Sequence, residues 1–147
     1  MSIRDQIQEA IKEATKARDH ARLDTLRMAK GALLLKEKEK ARDAGITDAE
    51  AIETLRAEVR KRRQSQEIYQ ELGKSAEVEG LIAEIAVIEA FLPQQLSESA
   101  LEERVRAYLA EHPDMNHPGK LTGAMKKELG DTADGKVLNE VCRRVLE

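Results

Sequence analysis

Aromatic residues are almost missing from this chain: among 147 residues there is no tryptophan, one phenylalanine and two tyrosines. Strand-favouring residues form no alternating runs, so an all-α protein is expected. A single cysteine, Cys142, rules out an internal disulfide. No apolar run reaches the roughly 18 residues of a membrane span, and no basic, apolar, small-residue sequence opens the chain as a secretory signal would. The expectation is a soluble cytoplasmic protein without membrane contact. Positive charge is not in excess either. The formal net charge of −3 argues against coating nucleic acid through bulk charge, while leaving room for a local basic face.

Recognisable catalytic signatures are lacking as well. There is no Gly-rich nucleotide loop, nucleophile elbow or Cys and His dyad. His20, His112 and His117 are too scattered to read as metal ligands, so no metal and no cofactor are expected. Acids are abundant but fall on exposed helix faces at pairing distance from bases, and none stands out as a catalytic carboxylate. Cys142 lies at an apolar position and reads as a core thiol. The length suits one domain, or one built of two small subdomains, but not a nucleotide-binding domain plus a substrate domain.

What the chain has is Ala, Leu, Glu, Lys and Arg in helical rhythm. Ser2 caps a first helix with Ile3, Ile7, Ala10, Ile11 and Ala14 on one face. The phase slips at Arg18-Asp19-His20, and a second helix turns Leu23, Leu26, Ala29, Leu33 and Leu34 inward. Its charged end, Lys36 to Arg42, alternates acids and bases up to Gly45. Thr47-Asp48-Ala49-Glu50 has the form of a capping box and opens a long third helix, with Ile52, Leu55, Val59, Gln66, Tyr69 and Leu72 in phase until Gly73. A fourth, from about Ser75, brings Leu81, Ile82, Ile85, Ile88, Phe91 and Leu92. Val78 and Val87 widen its apolar surface, so it is expected to be the most buried helix.

Pro93 stops that helix because it lacks an amide proton and clashes with the preceding turn. The spacing therefore predicts a bundle of about four helices over residues 1–92, a hinge at 93–97, and a three-helix tail over 98–147. Ser97 caps the tail's first helix, which carries Leu101, Val105, Tyr108 and Leu109. A loop over Asp114 to Gly119 leads to a short helix from about Leu121 to Leu129. A second loop, Asp131 to Gly135, precedes a last helix with Val137, Leu138, Val141, Cys142 and Val145.

Two charge features are candidates for binding. Arg60-Lys61-Arg62-Arg63 spreads around most of a helical turn, which suits a solvated face paired with neighbouring acids better than one flat phosphate-contacting patch. Lys120, Lys126, Lys127, Lys136, Arg143 and Arg144 collect in the tail. There Gly119-Lys120 and Gly135-Lys136 could present backbone amides to phosphate, or the glycines could simply end helices.

The chain also resembles a known family. Arg22-Leu23-Asp24-Thr25-Leu26-Arg27, Arg62-Arg63-Gln64-Ser65 with Tyr69 and Gly73-Lys74, and Glu84 through Ser97 closely resemble the YqeY family (GatB/YqeY domain). Gly119-Lys120-Leu121-Thr122-Gly123-Ala124-Met125-Lys126 and Gly130-Asp131-Thr132-Ala133-Asp134-Gly135 resemble its tail motif in the same order. Pro118 and Thr122 stand where that family commonly has methionines. The family is similar to the C-terminal region of the B subunit of the glutamine-dependent aspartyl/glutamyl-tRNA amidotransferase. The resemblance implies a helical bundle with a three-helix tail, and tRNA as the partner. It makes Gly119, Lys120, Gly123, Lys126, Lys127, Gly130, Gly135 and Lys136 the expected RNA-binding residues. It also implies a link to carbon-nitrogen ligase chemistry with glutamine as amido-N-donor. No residues for ATP, magnesium or an ammonia-producing nucleophile are found, so autonomous catalysis is not expected. The alternative is a helical protein-protein interaction module with incidental RNA affinity. Oligomeric state is left open.

Overall fold

The computed structural model describes residues 1–40 and 44–147, and every regular element among them is helical. The helices gather into two compact units, Met1–Leu92 and Pro93–Glu147. The first holds α1 (Ile3–Ala17), α2 (His20–Lys38), α3 (Asp48–Glu71) and α4 (Ser75–Glu89). The second holds α5 (Glu98–Glu111), α6 (Pro118–Leu129) and α7 (Gly135–Leu146), with a 3-10 turn at Gly130–Thr132. Among the described residues no helix is long and apolar enough to cross a membrane.

Side chains fix where most helices begin. The Ser2 hydroxyl accepts the Asp5 amide at 3.1 Å and opens α1. Arg18, at a φ of 58°, closes α1 in the left-handed region, and Asp19 accepts the Arg22 amide at 3.2 Å to start α2. The slip in apolar phase is thus a true break with almost no loop. At α3 both halves of the capping box form: Thr47 Oγ1 accepts the Glu50 amide at 3.1 Å, and Glu50 Oε1 accepts the Thr47 amide at 3.2 Å. Lys40 Nζ bonds the same Glu50 oxygen. Lys40, then the amide and hydroxyl of Thr47, hold the Glu50 carboxyl down to about 2.

In the first unit Ile3, Ile7, Leu33, Leu55, Ile85, Ile88 and Leu92 are the large members of the main core. Ala10, Ala14, Leu23 and Leu26 form a second cluster where α1 meets α2, with Ile11 and Phe91 packed against both. Alanines on α1 leave room for the leucines of α2. In the second unit Leu101, Val105, Leu121, Met125, Leu138, Val141 and Cys142 make one core, and Leu96 packs on it. Burying about seven such side chains is the main term holding a three-helix unit together.

Three expectations need correction. The fourth helix is not the most buried: only Ile85 and Ile88 of α4 are buried, against five residues of α2, and Ile82 is 49 % exposed. Leu72, read as inward, is 62 % exposed. Both lie in the part of the α3–α4 pair between Val59 and Ile85, where no residue is buried. Periodicity marks an apolar side but does not say how far the neighbours extend. Finally, α2 ends at Lys38 and not near Gly45; Arg42, the expected end of its charged stretch, lies outside the described residues.

The stretch from Pro93 to Ser97 has no regular secondary structure, and Ser97 at its end is extended. The Leu96 amide donates to the Thr132 carbonyl at 2.7 Å, and Gln95 Nε2 donates to the Asp131 carbonyl at 3.3 Å. These two residues are therefore tied to the turn between α6 and α7.

Candidate nucleic-acid interface

Helix α6 begins a turn earlier than the spacing predicts. Pro118 occupies its first turn, where a missing amide proton is harmless, and His117 caps it, Nδ1 accepting the Gly119 amide at 3.2 Å. Pro118 and Gly119 thus belong to the helix and not to a loop. A Cβ on Gly119 would stand 3.3 Å from the His117 ring, so the glycine leaves space for the capping imidazole. The inward side of α6 buries Leu121 and Met125. Thr122 Oγ1 donates to the Pro118 carbonyl at 2.7 Å and lies 3.3 Å from Asn139 Oδ1, linking α6 to α7.

The opposite side of α6 is where the expected RNA-binding residues gather. At 3.6 residues per turn, Gly119, Lys120, Gly123, Lys126, Lys127 and Gly130 fall within an arc of roughly 120°, and all six are exposed. A ligand approaching this face would meet backbone, with lysines on its flank. Gly130 closes the helix at a φ of 58°, a conformation that favours glycine. Gly123 has open space where its Cβ would be.

The lysines are not equivalent. Lys126 Nζ donates to the Ala133 carbonyl at 2.5 Å and braces the turn that follows α6. Lys120 and Lys127 are exposed and take part in no ion pair among the described residues. Lys136 stands apart on the first turn of α7, also exposed. There the Asp134 carboxylate accepts the amides of Lys136 at 2.9 Å and Val137 at 3.2 Å. Of the amides expected to greet phosphate at Gly135-Lys136, that of Lys136 is already held by an anion, and Lys136 can add only its side chain.

Charge is sorted among the helices of this unit. Helix α5 carries four acids, Glu98, Glu102, Glu103 and Glu111, against two bases, Arg104 and Arg106, and Arg144 of α7 turns to it, 2.8 Å from Glu98 and 3.7 Å from Glu102. Helix α6 carries three lysines against one acid, Glu128, which points away from the glycine side. Arg144 is spent on α5.

The cations of α3 behave differently. Arg63 reaches Glu89 of α4 at 2.8 Å, and Lys61 lies 3.6 Å from Glu58. Arg62 is largely buried, with Nη1 on the Glu58 carbonyl at 3.1 Å and Nη2 3.8 Å from the Met28 sulfur. Only Arg60 is left exposed without an ion pair among the described residues. Three of the four cations of the run therefore have an acid beside them.

Cys142 and His112 have structural surroundings. Cys142 is fully buried; burial pushes its thiol up, with the Thr122 hydroxyl pulling the other way. His112 stacks on Tyr108 with ring centroids 4.2 Å apart. Two roles escaped the reading of the residues alone: His117 as the cap of α6 and Asp134 as the cap of α7. A His-Pro step and an Asp two residues before the first lysine of a helix were the available signals.

The family described as Yqey-like protein matches residues 4–146. The chain belongs to the YqeY family. That match takes in both units of the fold and the whole of the α6 face. Among curated proteins no match is found.

Proposed function

We propose that this YqeY-family chain is a tRNA-binding accessory module linked to glutamine-dependent tRNA amidotransferase chemistry, without a catalytic centre of its own. The observation that carries the reading is the exposed side of α6, where Gly119, Gly123 and Gly130 share one face with Lys120 and Lys127. Small residues let a sugar-phosphate backbone come within reach of two flanking ammonium groups, which is the geometry of a positioning contact and not of base readout. Lys136 adds a third cation from α7. Lys126 serves mainly to hold the turn in shape.

Such a surface binds through counterion release and recognises folded RNA by shape. With about three phosphates neutralised, the logarithm of the affinity should fall with the logarithm of salt concentration at a slope of roughly −2 to −3. The buried, poorly ionised Cys142 speaks against a thiol nucleophile as a source of ammonia. A gel-shift titration with bulk tRNA tests the reading: retardation that weakens with salt is expected, and no salt-sensitive affinity would remove it.

A further inference from the structure

Helix α2 is apolar on two sides. Its inner side buries Leu23, Leu26, Ala29 and Leu33. Its outer side carries Met28 and Leu35, 46 % and 64 % exposed, with Gly31 between them and open space where a Cβ would stand. Helical spacing puts Met28, Gly31 and Leu35 in one stripe, bounded by Asp24 at one end and Lys38 at the other. Helices α1, α3 and α4 all pack on α2, yet none covers this stripe. The Arg62 guanidinium, 3.8 Å from the Met28 sulfur, steadies one of its two large side chains.

The charges say what fits there. Asp24 and Lys38 are exposed, take part in no ion pair among the described residues, and lie equally far from Gly31, roughly 10 Å along the axis on either side. A stripe with an acid at one end, a base at the other and no side chain at its midpoint is complementary to itself when run antiparallel. In that arrangement Asp24 of each copy meets Lys38 of the other. Met28 of each copy sits between Gly31 and Leu35 of the other, and the two helices approach most closely at the paired glycines. A parallel arrangement would set like charges together. We propose that the outer face of α2 is the interface of an antiparallel dimer of this chain.

One helix pair is a small interface, so the dissociation constant should be on the order of micromolar or weaker. Sedimentation equilibrium of the full chain, from low micromolar to near-millimolar protein, reads it directly. The expected result is a monomer–dimer equilibrium that Gly31→Glu abolishes, because two like charges would meet at the crossing. That side chain enters open space in the single chain, so helix content by circular dichroism should not fall. Asp24→Lys should weaken association about tenfold, and adding Lys38→Asp to it should restore association. A chain that stays monomeric throughout overturns the proposal. So does a dimer indifferent to Gly31→Glu, or a double reversal that fails to recover.

Discussion

The two units of this protein carry cations in similar density but spend them differently. In the first, the run Arg60-Lys61-Arg62-Arg63 is taken apart by its own surroundings: Glu58 and Glu89 hold three of the four, and Arg62 is pressed under Met28. In the second, Arg144 is drawn to the acids of α5 while Lys120 and Lys127 face solvent beside a glycine stripe. A consecutive basic run is therefore the weaker sign of a phosphate site. Cations dispersed along one helix face with small residues between them are the stronger one, because they share a direction.

The largest expected effect lies in the cores. Leu55→Ala in the first unit and Leu121→Ala in the second each remove a fully buried side chain, and each should lower the unfolding free energy by about 2–5 kcal/mol in urea titrations. Only Leu121→Ala, which sits beneath the α6 face, should also weaken tRNA binding under conditions where both variants remain folded. Equal loss of binding in the two would break the assignment of binding to the second unit.

Helix caps come next. Thr47→Ala and Asp134→Ala each leave helix amides unsatisfied and should cost about 1 kcal/mol by the same titration. Asp134→Asn separates cap from charge: it should hold stability to within a few tenths of a kcal/mol and raise tRNA affinity about twofold by removing an anion beside Lys136. A fall in affinity there would argue that Asp134 orders the RNA contact and does not oppose it.

The smallest effect is a pH dependence in the first unit. The Glu50 carboxyl is held at about 2, below its ordinary 4.5, so its contribution is present above about 4.5 and lost as pH falls towards 2. Thermal midpoints should therefore drop faster between pH 5 and pH 2 in the native chain than in Glu50→Gln. Parallel curves would remove the capping box as the cause.

Much of the helical layout could be read from the residues. Ser2, Thr47 with Glu50, and Ser97 are local signals acting within one turn, and each opens the helix expected of it. What could not be read depends on distant neighbours. The exposure of Ile82 and Leu72 depends on what packs over the stretch between Val59 and Ile85, which no window of sequence contains. The eight residues expected at the RNA site were chosen by resemblance, and the helix geometry regroups them. Six share the α6 side, Gly135 and Lys136 lie on α7, and Lys126 is turned towards the Ala133 carbonyl. Hydrogen bonds over short loops decide such points, and apolar periodicity does not record them.

The central claim is that the α6 face, and not the α3 basic run, meets RNA. A fluorescence anisotropy titration of bulk tRNA with the native chain, with Lys120→Glu/Lys127→Glu and with Arg60→Glu/Arg63→Glu tests it most directly. The account predicts at least a roughly tenfold loss of affinity and a shallower salt slope for the lysine pair, and less than about a twofold change for the arginine pair. The reverse order, or equal losses from both pairs, would contradict it.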